Sequence, residues 1–190
     1  NLGGGHGVGL FVGTQNGWIA GFDTTGGVLP GFPVSPGGSS PLAGGPALGD
    51  LDGDGELEIV CGAGDGRLCA WHAGGSVAAG FPVETDVSGF GAPVALTDLG
   101  GHRGIEIIAA TQGGTVYAVN GDGAFLPGWP VTFDPEPLAP VVARFGRDTV
   151  VLVAAGTQLV GLRPDGSESL RWALGAYVVS DPALGDLDGD

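Results

Sequence analysis

Lysine and methionine are absent from this 190-residue chain, and its six basic residues, all arginine, stand against 21 aspartates and glutamates. The net charge of −15 argues against nucleic acid and anionic membranes as partners, because a phosphate surface needs a basic footprint. No apolar run approaches the roughly eighteen residues of a membrane span, so membrane insertion is not expected. There is no signal-peptide pattern and no initiator methionine. Only three histidines occur, His6, His72 and His102, and none sits in an HExxH pattern. A Gly-x-Ser-x-Gly elbow and a Walker loop are missing too, so no enzymatic activity is expected.

Cysteine is scarce as well. Cys61 and Cys69 flank one predicted hairpin and offer no CxxC or Cys/His spacing for zinc. A two-residue turn at Asp65-Gly66 puts Cys61 opposite Ala70, whereas a three-residue turn pairs the cysteines directly. The usual turn preference favours the first arrangement, with two buried thiols.

Glycine and proline are abundant instead, at 41 and 14 residues, in a chain that is 43% hydrophobic. Such a composition without a period suggests disorder, but here a period is present. "PALGDLDGD" occurs at residues 46–54 and again at 182–190. Three stretches starting at Asn1, Asp50 and Asp98 align without a gap as far as "GFPV", "GFPV" and "GWPV", and a fourth, shortened unit follows. The origins lie 49 and 48 residues apart, a spacing that marks solenoids or propellers.

Each unit reads as four short strands. "PALG" or "VALT" is the first, and the β-branched "LEIVCGA", "IEIIAAT" or "TVVLVAA" is the second. A tight turn leads to "RLCAW", "TVYAV" or "QLVGL", and "GFPV", "GWPV" or "RWAL" closes the unit. Proline cannot donate to a ladder, so Pro33, Pro82 and Pro130 belong at an outer edge. The expectation is an all-β protein: a β-propeller segment of about four four-stranded antiparallel blades. The repeat divides the chain into blades at 1–44, 45–92, 93–139 and 140–181, with 182–190 as the first strand and partial acidic loop of another. Both ends fall inside a repeat, so the chain reads as a window on a longer array or as a unit whose ends complement one another.

The acidic loop carries the chemistry. Asp50, Asp52 and Asp54 occupy loop positions 1, 3 and 5, followed by Gly55, Glu56 and Glu58 at 6, 7 and 9. Alternate carboxylates in a tight loop point at one centre, and hard oxygen donors are what Ca²⁺ takes. Glu56 would contribute its backbone carbonyl, and Glu58 would close the shell. Position 12 is Cys61, in an apolar strand, so the loop is not an EF-hand. Asp186, Asp188 and Asp190 repeat positions 1, 3 and 5. "DLGGHRGIE" keeps only Asp98 and Glu106, "NLGGGHGVG" keeps Asn1 alone, and "FGRD" is shortened, so no calcium is expected at these three.

The segment from "PALGDLDGDGELEIV" to "GFPV" resembles the FG-GAP/VCBS-type repeat of bacterial and integrin-like β-propellers, and the likeness covers essentially the whole chain. It implies a secreted or cell-surface location, a bacterial source, a ring of seven or eight blades, and calcium held by Asp50, Asp52, Asp54, Glu56 and Glu58. The function it implies is non-catalytic binding, adhesion or structural display toward a protein or carbohydrate ligand. The alternatives are an accessory propeller of a secreted enzyme, such as a polysaccharide lyase or protease, and a self-associating subunit completed through its chain ends.

Aromatic residues follow the period. Phe32, Phe81, Trp129 and Trp172 share one position, as do Phe22, Trp71, Val119 and Leu162, which marks both positions as packing. Trp18 breaks the pattern, since its equivalents Arg67, Thr115 and Gln158 are polar. It is expected to be exposed and is a possible contact surface.

Overall fold

The structure, a computed structural model, describes residues 8–37, 40–101, 103–145 and 148–185. Every regular element among them is a β-strand. The first sheet pairs β1 (Leu10–Gly13) with β2 (Ile19–Phe22), and an isolated bridge from Ile19 to Val34 marks its outer edge. The second sheet contains β3 (Leu42–Gly49), β4 (Glu58–Ala63), β5 (Arg67–Trp71) and β6 (Val83–Glu84). The third contains β7 (Ala95–Thr97), β8 (Glu106–Ala110), β9 (Thr115–Val119) and β10 (Val131–Thr132). The fourth contains β11 (Val141–Phe145), β12 (Asp148–Ala155), β13 (Gln158–Leu162) and β14 (Glu168–Ala173). Within each sheet the strands lie in chain order and pair antiparallel. Successive four-stranded meanders are the blades of a β-propeller.

The sequence explains this order. The second and third strands are rich in β-branched and apolar residues, and in the second and third sheets they are covered on both faces. Every residue of β4 and β8 is buried. Alternate residues then join alternate cores: Ile59 and Cys61 pack toward the first sheet, while Val60 and Leu68 pack toward the third. The fourth segment opens on an aromatic-proline step, and the Phe32-Pro33, Phe81-Pro82 and Trp129-Pro130 bonds are all cis. In the second and third sheets a two-residue edge strand begins just after the proline, where a missing N–H costs no ladder bond.

Two local details differ from the sequence expectation. Cys61 pairs with Cys69, and Ala70 pairs with Val60. The reason is a three-residue connection, Gly64-Asp65-Gly66, with the Gly66 N–H bonded to the Ala63 carbonyl and Gly66 at φ 88°. Both thiols are free and buried. In addition, β3 starts at Leu42, before the "PALG" segment, with a register irregularity between Ala43 and Ala47 that accommodates Gly44 at φ 65°.

Candidate metal centre

The loop from Asp50 to Leu57 joins β3 to β4 and folds around its own first carboxylate. Asp50 Oδ1 accepts the N–H groups of Gly53 (2.8 Å) and Asp54 (3.1 Å), and Oδ2 accepts that of Gly55 (3.0 Å). Gly53 and Gly55 lie at φ 75° and 92°, a region open to glycine, and this allows the loop to turn back on Asp50. Asp52 Oδ1 accepts the Asp54 N–H at 3.1 Å, and Asp54 Oδ1 accepts the Glu56 N–H at 2.7 Å.

Two anchors hold this loop in place. Leu51 is buried, and its N–H donates to Glu58 Oε2 at 2.9 Å. The Asp50 carbonyl accepts the N–H of Ile105, just before β8 of the third blade, at 3.1 Å. The loop therefore sits on the seam between the second and third blades. Gly104 and Gly121 of the third blade lie so close to it that an added Cβ would meet the Leu51 carbonyl oxygen at 2.1 and 1.9 Å.

Carboxylate oxygens of Asp50, Asp52 and Glu58 converge within 4.8 Å of one another. Two like charges 4 Å apart repel by about 4 kcal/mol at an effective dielectric of ~20, so a cation held between these oxygens would relieve their repulsion. Burial of Glu58 raises its pKa. The Leu51 N–H and His72 oppose that shift, and the Asp52 charge adds to it. His72 Nδ1 lies 3.1 Å from Glu58 Oε1. Sequence reasoning did not foresee this pairing, because His72 occupies a position that varies between repeats.

Asp54 and Glu56 lie in the same loop but outside the converging group. Asp186, Asp188 and Asp190, like Asn1, His6 and His102, fall outside the described residues. In the third blade Asp98 Oδ1 accepts the Gly100 N–H at 2.8 Å, and Glu106 Oε2 accepts the Leu99 N–H at 2.6 Å. Glu106 thus repeats the anchoring bond of Glu58 in a loop that has lost its other acids. Buried Val150 takes the same position in the fourth blade, so the anchor is absent there.

Other singled-out residues take their places around this frame. Trp18 is 43% exposed at the rim of the first blade. Arg67, its equivalent in the second blade, donates to the carbonyls of Pro36 (2.6 Å) and Gly37 and pairs with Asp65. Asp86, in the connection between the second and third blades, was not legible in the sequence. Its Oδ2 accepts bonds from Thr111 Oγ1 at 2.6 Å and from the Tyr117 hydroxyl at 3.2 Å, and its Oδ1 accepts the Ser88 N–H at 3.1 Å. Burial raises the pKa of Asp86, but hydrogen bonds from Ser88, Thr111 and Tyr117 outweigh it and hold the carboxyl below its ordinary value.

No family model matches the chain, and no curated protein matches it. Solved structures do. BamB from Moraxella catarrhalis is 19% identical, with a TM-score of 0.62 over 87% of this chain and 45% of that one. The V. cholerae biofilm matrix protein Bap1 is 20% identical, with a TM-score of 0.62 over 92% of this chain and 28% of that one. BBS1N, solved in complex with ARL6DN, is 14% identical, with a TM-score of 0.63 over 90% of this chain and 51% of that one. The chain spans about half or less of each of these structures. At such identities the likeness shows the fold alone, which is that of a β-propeller.

Proposed function

We propose that this chain is a calcium-binding β-propeller module of a secreted or cell-surface protein, serving non-catalytic binding, adhesion or structural display. The observation that carries the reading is the convergence of Asp50, Asp52 and Glu58 on one point of the blade seam. The donor set is all carboxylate, which suits a hard cation such as Ca²⁺. Acceptor capacity remains for it. Asp50 Oδ2 and Glu58 Oε2 each accept a single N–H bond here, and an ionised carboxylate oxygen has room for about two. The resemblance of the loop to FG-GAP/VCBS-type repeats supports the same ion and an extracellular setting, where calcium is plentiful. Bound there, Ca²⁺ would offset two of the three negative charges and fix the loop that lies on the seam between two blades.

A surface of blade ends and connecting loops is the part of a propeller left free to meet a protein or carbohydrate ligand. The structural neighbours, among them a biofilm matrix protein and a protein solved in complex with ARL6DN, support a binding or structural role. The test is native mass spectrometry of the chain in calcium and after chelation. A calcium-sized increment that chelation removes, and that Asp50→Asn abolishes, is the expected result. A mass indifferent to both would refute the reading.

A further inference from the structure

One end of the seam between the second and third sheets is filled by a single ring. Phe90, in the connection that leads into β7, is 3% exposed and bridges Thr111 just after β8. Its ring lies so close to Gly62 that a Cβ there would meet it at 2.5 Å. The next seam is built differently. Pro137, in the connection that leads into β11, bridges Ala155 at the end of β12. Ala110 stands in β8 where Gly62 stands in β4. A proline ring is smaller than a phenyl ring, and a pocket of about 210 Å³ remains here, with Pro137 and Ala110 among its lining residues. Its walls come from the end of β8, from the two blade connections on either side of the third sheet, and from Asp181. The pocket therefore lies in a seam whose two sheets are both part of the chain.

The floor of the pocket is apolar, since Ala110, Pro137 and Ala139 are buried. The rim is polar and carries the exposed side chains of Gln112, Glu136 and Asp181. Asp181 Oδ1 accepts the Ala139 N–H at 3.0 Å, which ties this carboxylate to the wall. An ionised carboxylate has capacity for several further donors. Among the described residues neither Glu136 nor Asp181 forms an ion pair.

An apolar floor under an acidic rim selects a ligand with the same two parts. A bare metal ion gains nothing from the floor, and an anion is repelled by the rim. No aromatic side chain lines the pocket to stack on a sugar ring. The volume is below the roughly 300–1,000 Å³ of small-molecule sites, so it suits one side chain of a larger partner. Lysine and arginine have this form: an alkyl stem that takes apolar contact and a cationic head that stays at the solvent edge. The chain has no lysine and a net charge of −15, so its field favours the approach of a basic partner.

We infer that this pocket receives a lysine or arginine side chain of a protein partner, with the stem against Ala110 and Pro137 and the head at the Glu136 and Asp181 carboxylates. The contact rests on the reading of the chain as a binding module, but Asp50, Asp52 and Glu58 take no part in it.

The test is an amide NMR titration of the isotope-labelled chain with the blocked amino acids N-acetyl-lysine methylamide and N-acetyl-arginine methylamide. N-acetyl-norleucine methylamide, which has the stem without the charge, is the control. Saturable shifts at the amides of Gln112, Leu138 and Ala139 are expected with a cationic probe, with a dissociation constant on the order of 1 mM, as a single side chain provides. Norleucine is expected to give none. The double variant Glu136→Gln, Asp181→Asn should keep the wild-type spectrum elsewhere, because Glu136 is exposed and asparagine retains an acceptor for the Ala139 N–H. It is expected to bind about fivefold or more weakly. Pro137→Phe, which restores the ring of the neighbouring seam, is expected to abolish the shifts. The wild-type result should be the same in calcium and in chelator, so a failure of calcium binding and a failure of this pocket are read separately. Absence of shifts at these amides with both cationic probes overturns the inference. So do equal shifts with norleucine, the mark of an apolar cleft without charge selection, or undiminished binding in the double variant.

Discussion

Glu58 accepts the backbone N–H of Leu51 through Oε2 at 2.9 Å and so ties the acidic loop to the strand that follows it. The same bond joins Glu106 to Leu99 in a loop without the aspartates. The buried glutamate therefore has an anchoring role that does not depend on a metal. In the second blade the proposed calcium site would give it a second role.

These two roles separate by mutation. Glu106→Ala is expected to destabilise the fold by about 1–3 kcal/mol, since it leaves a buried N–H without its acceptor, and the loss should be equal in calcium and in chelator. Glu58→Gln keeps an acceptor oxygen for Leu51, so stability in chelator should stay within about 1 kcal/mol of wild type. The extra stability that calcium confers should vanish. Thermal unfolding of both variants, with and without calcium, checks this. An undiminished calcium effect in Glu58→Gln would remove Glu58 from the site.

Acid and base limbs of stability should carry opposite signs from two carboxyls. Asp86 is held below its ordinary value, so its contribution is present above about pH 4 and is lost as pH falls through its lowered value. Asp86→Asn should flatten that acid limb. Glu58 is raised by burial, so without metal its contribution is present at low pH and is lost as pH rises past the ordinary glutamate range. Glu58→Gln in chelator should flatten that decline. Denaturant midpoints against pH for the wild type and both variants give the answer, and unchanged slopes would contradict the assigned shifts.

The cysteine pair should be silent in the native state. Burial pushes the Cys69 thiol up to about 12 and the Cys61 thiol higher still. A thiol-specific chromogenic reagent is expected to label neither residue natively and both in denaturant. Rapid native labelling, or fewer than two thiols after unfolding, would contradict the buried dithiol.

Gly121 offers a test of the seam beneath the loop. A Cβ there meets the Leu51 carbonyl oxygen at 1.9 Å, so Gly121→Ala must push the acidic loop away from the third blade. A loss of about 1–3 kcal/mol is expected, together with weaker calcium binding, although no ligand is touched. Wild-type calcium affinity in this variant would show that the loop is held independently of its neighbour.

Much of the architecture was legible because propeller seams are periodic. Ile59, Ile107 and Val151 recur with the repeat, since each faces the same kind of neighbour. What escaped the sequence depends on single residues. The cysteine register turned on one residue of loop length, and Gly66 in its left-handed conformation fixed the longer form. His72 and Asp86 sit at positions that the repeat does not conserve, so their partners Glu58 and Tyr117 became visible only in three dimensions. At the candidate centre, the spacing of Asp50 and Asp52 marked the loop. The anchoring bond from the Leu51 N–H to Glu58 emerged only in the structure.

The most direct test of the central claim is a calorimetric calcium titration of the wild type beside Asp52→Asn. Asp52 lies on the exposed side of the loop, and its Oδ1 bond to the Asp54 N–H survives in asparagine, so the variant removes charge with little else. The account predicts saturable binding to the wild type and a loss of affinity of about tenfold or more in the variant, with calcium at a hundred times the wild-type Kd adding about 2.7 kcal/mol of stability. No binding to the wild type, or equal binding to both proteins, would contradict it.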